Sequence, residues 1–163
     1  MTTTRAGSTD MVLKFSSLTT SSTFLGGYES NEVASGTNDD FLVTIAPITG
    51  HASTAPAVGH LIAVKVWGAR VSLATTAIDV LDGGNSTETI SHASIYDSMP
   101  LGGVAIVTVA TAGLTYYIPP FTIARLFGGV LPNYWGLFAS HNHTGSLAAS
   151  QDSLVYYETC SLA

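Results

Sequence analysis

The chain has 163 residues, of which 46 % are hydrophobic and only 10 % are charged, and this length indicates one domain with a substantial core. Five Lys and Arg residues against 11 Asp and Glu give a net charge of −6. Because the few cations are scattered, they cannot neutralise a run of phosphates, and we expect no direct binding of nucleic acid.

The missing charge is replaced by hydroxyl groups, with 18 Ser and 21 Thr residues. Ordinary soluble domains carry roughly 25 % charged residues. A surface of Ser, Thr and Ala is easier to bury, which is typical of a subunit that hides much of its exterior in an assembly. The alternative interpretation is a Thr-rich β-protein with a neutral exterior.

The first 40 residues show no sustained periodicity. Met11–Phe15 is a short strand candidate, and Glu29–Asp40 has the composition of a loop. We therefore predict an extended N-terminal arm over residues 1–40, either lying along a neighbouring subunit or mobile. A β-sandwich domain is predicted over residues 41–163. No apolar run follows the first positive charge, so no signal peptide is expected.

Alternating apolar residues predict strands at Phe41–Ile45 and His60–Leu73, the second with a bulge or bend at Gly68. Further along, Ala77–Leu81 and Thr87–Ile95 flank a turn signal and are predicted to form a hairpin.

A second, buried hairpin is predicted from Val104–Ala110 and Leu114–Ile118. It lies within Ser98–Ala124, 27 residues without a charge. The glycines, prolines and β-branched residues of this segment favour buried strands, and we expect no membrane insertion.

Thr122–Phe127 is compatible with one helical turn, and strands are predicted at Leu131–Ser140 and Leu154–Cys160. Large apolar side chains on both faces of Leu131–Ser140 predict a strand that is covered on both sides. Turn signals recur about every 8–12 residues, which is typical of a sandwich or barrel. The fold class is therefore predicted to be all-β, an antiparallel sandwich.

His141 and His143 are the sharpest candidates for a metal site, because residues two apart on a strand share a face. A third ligand would come from one of four residues elsewhere in the chain, Asp152, His51, His60 or His92. The alternative is a polar turn closed by Gly145. We expect no metal and no cofactor, and the absence of a catalytic motif predicts that the protein is not an enzyme.

Several aromatic residues on predicted strands are candidates for contacts with other subunits, since Tyr and Trp are enriched at interfaces. These candidates are Tyr134, Trp135, Phe138, Tyr156 and Tyr157. A place in the core is the commoner role of adjacent aromatics on a strand, but such rings also suit stacking against a carbohydrate. The residues considered for this role are Tyr116, Tyr117, Tyr134, Trp135, Tyr156 and Tyr157.

The carboxyl-terminal third, with Pro132–Phe138, Thr144–Leu147 and the tyrosine-bearing strand Val155–Tyr157, resembles small β-sandwich virion proteins of tailed bacteriophages. Arg125–Gly128 is also similar to a segment of such proteins. The proteins concerned are of the capsid decoration, or cement, kind. The resemblance implies a jelly-roll-like homotrimer that lies on the outside of the phage head and reinforces contacts between copies of the major capsid protein.

The expected function is therefore that of a structural virion protein at the capsid surface, with the aromatic candidates as subunit or capsid contacts. If the arm anchors the protein, deletion of residues 1–30 should abolish capsid binding and leave the trimer folded. The alternative is a phage tail or fibre component that binds host carbohydrate, in which case Trp135→Ala should abolish glycan binding.

Overall fold

The computed structural model describes residues 3–5, 7–147 and 155–162. Strands make up 39 % of the structure and helices 8 %, which confirms the all-β prediction. The strands, in chain order, are β1 Thr3–Arg5, β2 Thr9–Met11, β3 Gly26–Glu29, β4 Val33–Ala34, β5 Asp40–Ile45, β6 Ile48–Thr49, β7 Leu61–Ala69, β8 Ser86–Thr89, β9 Leu101–Ile106, β10 Thr115–Tyr116, β11 Phe121–Thr122, β12 Tyr134–His141 and β13 Val155–Leu162. Two short helices, α1 Ala93–Ser98 and α2 Ile123–Leu126, and a 3-10 turn at Phe15–Ser17 complete the fold.

The strands form two antiparallel sheets and a small ribbon. In the front sheet, β1 and β2 lie end to end along β13, followed by β5 and β11. In the back sheet, the order is β8, β3, β12, β7 and β9, with β4 beside β3 on the same edge of β12. The ribbon consists of β6 and β10.

The pairing of the principal strands is nested along the chain. Of the eight strands β2, β3, β5, β7, β9, β11, β12 and β13, the first pairs with the last, the second with the seventh, the third with the sixth and the fourth with the fifth. Two further pairings, of β13 with β5 and of β12 with β7, complete the two sheets. This connectivity is that of a jelly roll, a double-sheet sandwich of eight strands.

The back sheet is covered on both faces. Between the sheets lies the inner core, which includes Trp135 and Leu137 of β12. The segment 70–99 folds over the other face and forms the outer core: Trp67, Leu73, Leu81, Ile90, Tyr96, Met99 and Phe138. Because side chains alternate along a strand, β12 serves both cores, and the prediction that it is covered on both sides is confirmed.

The first 40 residues differ from the predicted arm. They supply β2 to the front sheet and β3 to the back sheet, and their apolar side chains enter the inner core: Met11, Leu13, Phe15, Leu18, Tyr28 and Val33. Strands of two to four residues are too short to show periodicity, which is why the sequence pattern resembled a tail. Among the described residues, the sandwich therefore begins well before residue 41.

Both predicted hairpins are wrong. The residues around 77–81 form a single isolated bridge between Ile78 and Leu81, and much of Thr87–Ile95 leads into α1. In the second case, β9 pairs with β7 and β10 pairs with β6, so the two halves of the expected hairpin belong to different sheets. Local turn signals cannot reveal such long-range pairing.

Gly68 does not mark the bulge. The register of β7 against β9 shifts between Val64 and Lys65. At Gly68, an added Cβ would lie 2.8 Å from the Phe127 ring, so this glycine lets the loop after α2 approach the sheet closely.

Candidate interaction surfaces and the histidine pair

The aromatic candidates divide into buried and half-buried residues. Trp135 and Phe138 are fully buried within the chain, so neither can contact a second subunit or a sugar while the fold is intact. The Trp135 ring lies 5.2 Å from that of Phe41 and 5.7 Å from that of Tyr157. Trp135→Ala would therefore open a cavity in the inner core, and it cannot report on glycan binding.

The remaining three candidates, Tyr134, Tyr156 and Tyr157, are half-buried. Tyr134 lines a shallow surface depression together with Ala34, Gly36 and Asn133. Tyr157 lies edge-on against Phe41, with 5.7 Å between ring centres. Tyr134 and the β13 tyrosines belong to different sheets and do not form one site.

The outer core stops short of the end of the back sheet and leaves an apolar surface strip. We call it the outer strip: Phe24, Leu61, Ala63, Tyr96, Leu101, Val104 and Ile106. These side chains surround a concavity of about 280 Å³ without a charged residue in its lining. Leu101 is 47 % exposed and Ile106 is 55 % exposed. The concavity is thus an open and contiguous apolar surface.

The neighbouring cation is already engaged. The Lys65 ammonium donates a hydrogen bond to the Met99 carbonyl at 2.9 Å and lies 4.6 Å from the centre of the Tyr96 ring. The outer strip therefore offers burial of hydrocarbon rather than an ionic contact.

A second groove of about 450 Å³ runs between the edge strand β9 and β11. It is lined by Gly102, Gly103, Pro119, Phe121 and Arg125, among others. An added Cβ on Gly102 would lie 2.7 Å from the Phe121 ring, so the glycine allows the two sheets to meet here. Arg125 is exposed and is the only charged residue of the lining. No pair of titratable groups for acid–base chemistry faces this groove.

His141 and His143, the candidate metal ligands, are both fully buried at the end of β12. All four ring nitrogens have hydrogen-bonding partners, and within the part of the chain that the structure describes no group of three His, Cys, Asp or Glu residues is arranged to hold a metal ion. Of the suggested third ligands, His51 and His60 lie on nearby loops, His92 precedes α1, and Asp152 lies outside the described residues. The geometry here is that of a structural hydrogen-bonding pair.

Two glutamate side chains that the sequence did not single out hold the segment 70–90 onto the back sheet. Glu32 accepts hydrogen bonds from the Ser72 hydroxyl at 2.7 Å and from the Leu73 backbone N–H at 2.6 Å. Glu29 on β3 accepts the backbone N–H groups of Asp82 and Gly83 at 3.2 and 3.1 Å. Burial raises the pKa of Glu29 to about 8, against the opposing effect of these two donors. A lone Glu in a Gly- and Ser-rich stretch carries no sequence signal for such a role.

Comparison of the sequence with protein families and with curated proteins finds no match, so the functional interpretation depends on the fold and its surfaces. Neither of the described helices is long and apolar enough to cross a membrane.

Proposed function

We propose that this protein is a structural virion protein that binds the outer surface of a bacteriophage capsid and stabilises it. It acts as a homotrimer whose partner is the major capsid protein, and its location is the virion surface. The jelly-roll fold is compatible with this role, since the same architecture recurs in viral capsid domains. Because one fold hosts many functions, the proposal depends on features of the protein surface and not on the fold alone.

The observation that carries it is the outer strip. Stable attachment of a decoration protein needs buried area, about 1,600 Å² in total for a standard interface. The outer strip is an uncharged, apolar concavity beside the edge strand β9, on a chain with 10 % charged residues. Removing such a surface from water costs little free energy. A subunit that spans two capsid proteins through such contacts adds binding energy that expansion of the head must overcome.

The test compares the wild-type protein with the double variant Leu101→Ser/Ile106→Ser on purified particles of the encoding virus. Burial of these two half-exposed side chains contributes about 1 kcal/mol each, so the variant should attach about thirtyfold more weakly. Val130→Ser is the matched control, because Val130 is 73 % exposed and lies outside the outer strip. Equal attachment of the double variant and the wild type would remove the outer strip from the proposal.

Localisation and oligomeric state are tested separately. Negative-stain images of particles decorated with labelled protein should show the label on the head, and native mass spectrometry should give three times the mass of the chain. Label on the tail alone would replace this proposal with the alternative, a tail or fibre component that binds host carbohydrate.

The alternative has one observation in its favour. Tyr117 is 69 % exposed and presents an aromatic face to solvent, and jelly rolls also occur among lectins. Tyr117→Ala, rather than Trp135→Ala, is therefore the variant to test on a glycan array. A wild-type protein that binds no glycan would exclude the carbohydrate-binding form of this alternative.

A further inference from the structure

The two buried histidines at the end of β12 are fixed in opposite tautomers by their partners. The Nδ1 atom of His141 accepts the backbone N–H of His143 at 3.1 Å, and its Nε2–H donates to the Leu18 carbonyl at 3.1 Å. In His143, Nδ1–H donates to the Thr144 carbonyl at 2.9 Å, which leaves Nε2 to accept the Tyr116 hydroxyl at 3.4 Å. Each ring is thus neutral, with one donor and one acceptor in use.

The two acceptor nitrogens differ in what a proton would meet. A proton on Nε2 of His143 would face the Tyr116 hydroxyl, which can rotate and accept it. A proton on Nδ1 of His141 would face the backbone N–H of His143, and a backbone N–H cannot become an acceptor. Protonation of Nδ1 therefore removes the hydrogen bond that His141 accepts from the His143 backbone N–H, whereas at His143 the Tyr116 hydroxyl can keep its contact.

We infer that the end of β12 is an acid-operated latch, in which neutral His141 holds the turn 142–147 closed and protonation of its Nδ1 atom opens that turn. The hydrogen bond from the His143 backbone N–H to His141 joins the ring to the turn, and this is the bond that protonation removes. Opening exposes the side chains that the turn covers, above all Leu147, which is 3 % exposed, and Tyr116, which is 7 % exposed.

The ionisable groups around the pair are histidines and a tyrosine. Among the described residues, the ionisable groups that act on the two rings are His60 on both and His51 on His143, together with the Tyr116 hydroxyl in contact with His143. None of these is a carboxylate that would offset a new positive charge. Burial lowers the pKa of His141 and of His143 below the ordinary value of 6.5, so the rings stay neutral at pH 7.

The direction of the pH effect follows from this shift. An unfolded or locally opened chain binds protons on these histidines near pH 6.5, whereas the closed form binds them only at lower pH. The closed turn is therefore fully favoured above about pH 6.5 and loses its advantage as the pH falls below that value.

Hydrogen exchange of the backbone amides tests the latch. The amides to follow are those of Asn142 and His143, which donate to the Leu61 carbonyl at 3.2 Å and to His141 Nδ1 at 3.1 Å. In the wild-type protein, their protection at pH 5.0 should be at least about tenfold lower than at pH 7.5, after correction for the intrinsic exchange rate, because one pH unit changes proton occupancy about tenfold. Strands at the centre of the sheets should keep their protection. Unchanged protection of the turn at pH 5.0 would overturn the inference.

His141→Asn is the decisive variant. The amide oxygen of Asn takes the place of Nδ1 as an acceptor and does not titrate, so the turn should stay protected at pH 5.0. His92→Gln is the matched control, since His92 is exposed and is not among the groups that act on the two rings, and it should open like the wild type. A His141→Asn variant as acid-sensitive as the wild type would contradict the latch.

A measurement on the wild-type protein tests the latch even if the variant fails to fold. Proton–nitrogen correlation spectra should show the Nε2–H tautomer for His141 and the Nδ1–H tautomer for His143 at pH 7.5. On acidification, the charged form of His141 should appear together with loss of turn protection. A charged His141 in a protein whose turn remains protected would exclude the mechanism.

Discussion

Gly136, in the middle of β12, shows how closely the back sheet is packed at the scale of single residues. It pairs with Trp67 on β7, and the indole ring lies across the space where a side chain would be, so that an added Cβ would overlap Trp67 Cζ2. Gly26 on β3 is in an ordinary environment, because an added Cβ there would meet nothing closer than 3.6 Å. A side chain at Gly136 is therefore excluded by close packing, whereas one at Gly26 would fit without a clash.

We predict that Gly136→Ala lowers the free energy of unfolding by about 1–3 kcal/mol, the usual cost of overpacking a core. Gly26→Ala should be neutral or raise it by up to about 1 kcal/mol, since Ala is preferred to Gly within a strand. Urea denaturation of the two variants measures both values. Equal effects of the two substitutions would show that the Trp67 ring moves aside without cost.

Ionisation of Glu29 destabilises the folded protein. It is fully buried, and burial raises its pKa to about 8, whereas the unfolded chain ionises it near 4.5. Between these two values the folded protein binds the proton and the unfolded chain does not. Stability therefore falls as the pH rises through this window, which is opposite in sign to the effect of the buried histidines.

We predict that the wild-type free energy of unfolding decreases between pH 6.5 and 8 by up to about 1.4 kcal/mol per pH unit. Just above pH 6.5 the unfolded chain still protonates part of its histidines, which opposes the decrease, so the full slope is expected only above about pH 7.5. Glu29→Gln places a neutral amide in the site and should abolish the decrease. Asp97→Asn, at an exposed position of α1, should keep it, and denaturation curves across this pH range decide between the two outcomes.

At the scale of the elements, the N-terminal segment changes role from an arm to part of the sandwich. The strand β3 lies between β8 and β12 in the back sheet, and β2 lies along β13 in the front sheet. The apolar side chains between them, including Phe15 and Leu18, are buried in the inner core. Residues 9–30 therefore contribute strands to both sheets and side chains to the inner core.

We accordingly predict that deletion of residues 1–30 prevents folding, in place of the selective loss of capsid binding expected from the sequence. Of the described residues, deletion of residues 1–5 removes those of β1, which pairs with the far end of β13, and should leave a folded protein. Circular dichroism and thermal melting of the two truncated chains measure the difference. A cooperative melt of the longer deletion would show that β2 and β3 are dispensable.

The elements that could be predicted from the sequence are those whose own residues alternate over five or more positions. Phe41–Ile45 and the long strands β7 and β12 are of this kind. The pairing of β9 with β7, and of β10 with β6, was not predictable, because the turn-like Ala110–Gly113 suggested a local hairpin. The outer strip could not be predicted either, because its exposure depends on strand pairing. Leu101 and Ile106 resemble core residues until their neighbours in the sheet are known.

At the scale of the whole molecule, the nested pairing makes most contacts long-range. Thr9 pairs with Tyr157, and Thr3 lies opposite Leu162. A chain that must close such large loops before it gains contacts folds slowly, in milliseconds to seconds for β-rich domains. The same nesting places the two described ends of the chain side by side in the front sheet.

This adjacency leads to a prediction about connectivity. A circular permutant with its original ends joined by a short Gly- and Ser-rich linker, and with new ends at Thr111–Ala112, should fold to the same sandwich. The new ends fall in a mostly exposed loop between β9 and β10, where cuts in the chain are tolerated best.

A permutant opened between Leu137 and Phe138 should fail, because both residues are fully buried and the cut interrupts β12 between β3 and β7. Amide exchange and thermal melting compare the two proteins with the parent. The jelly roll is defined by which strands pair and does not depend on where the chain begins. If the permutant opened at Thr111–Ala112 does not fold, the order in which the strands assemble, from β2 onward, is needed to reach the native pairing.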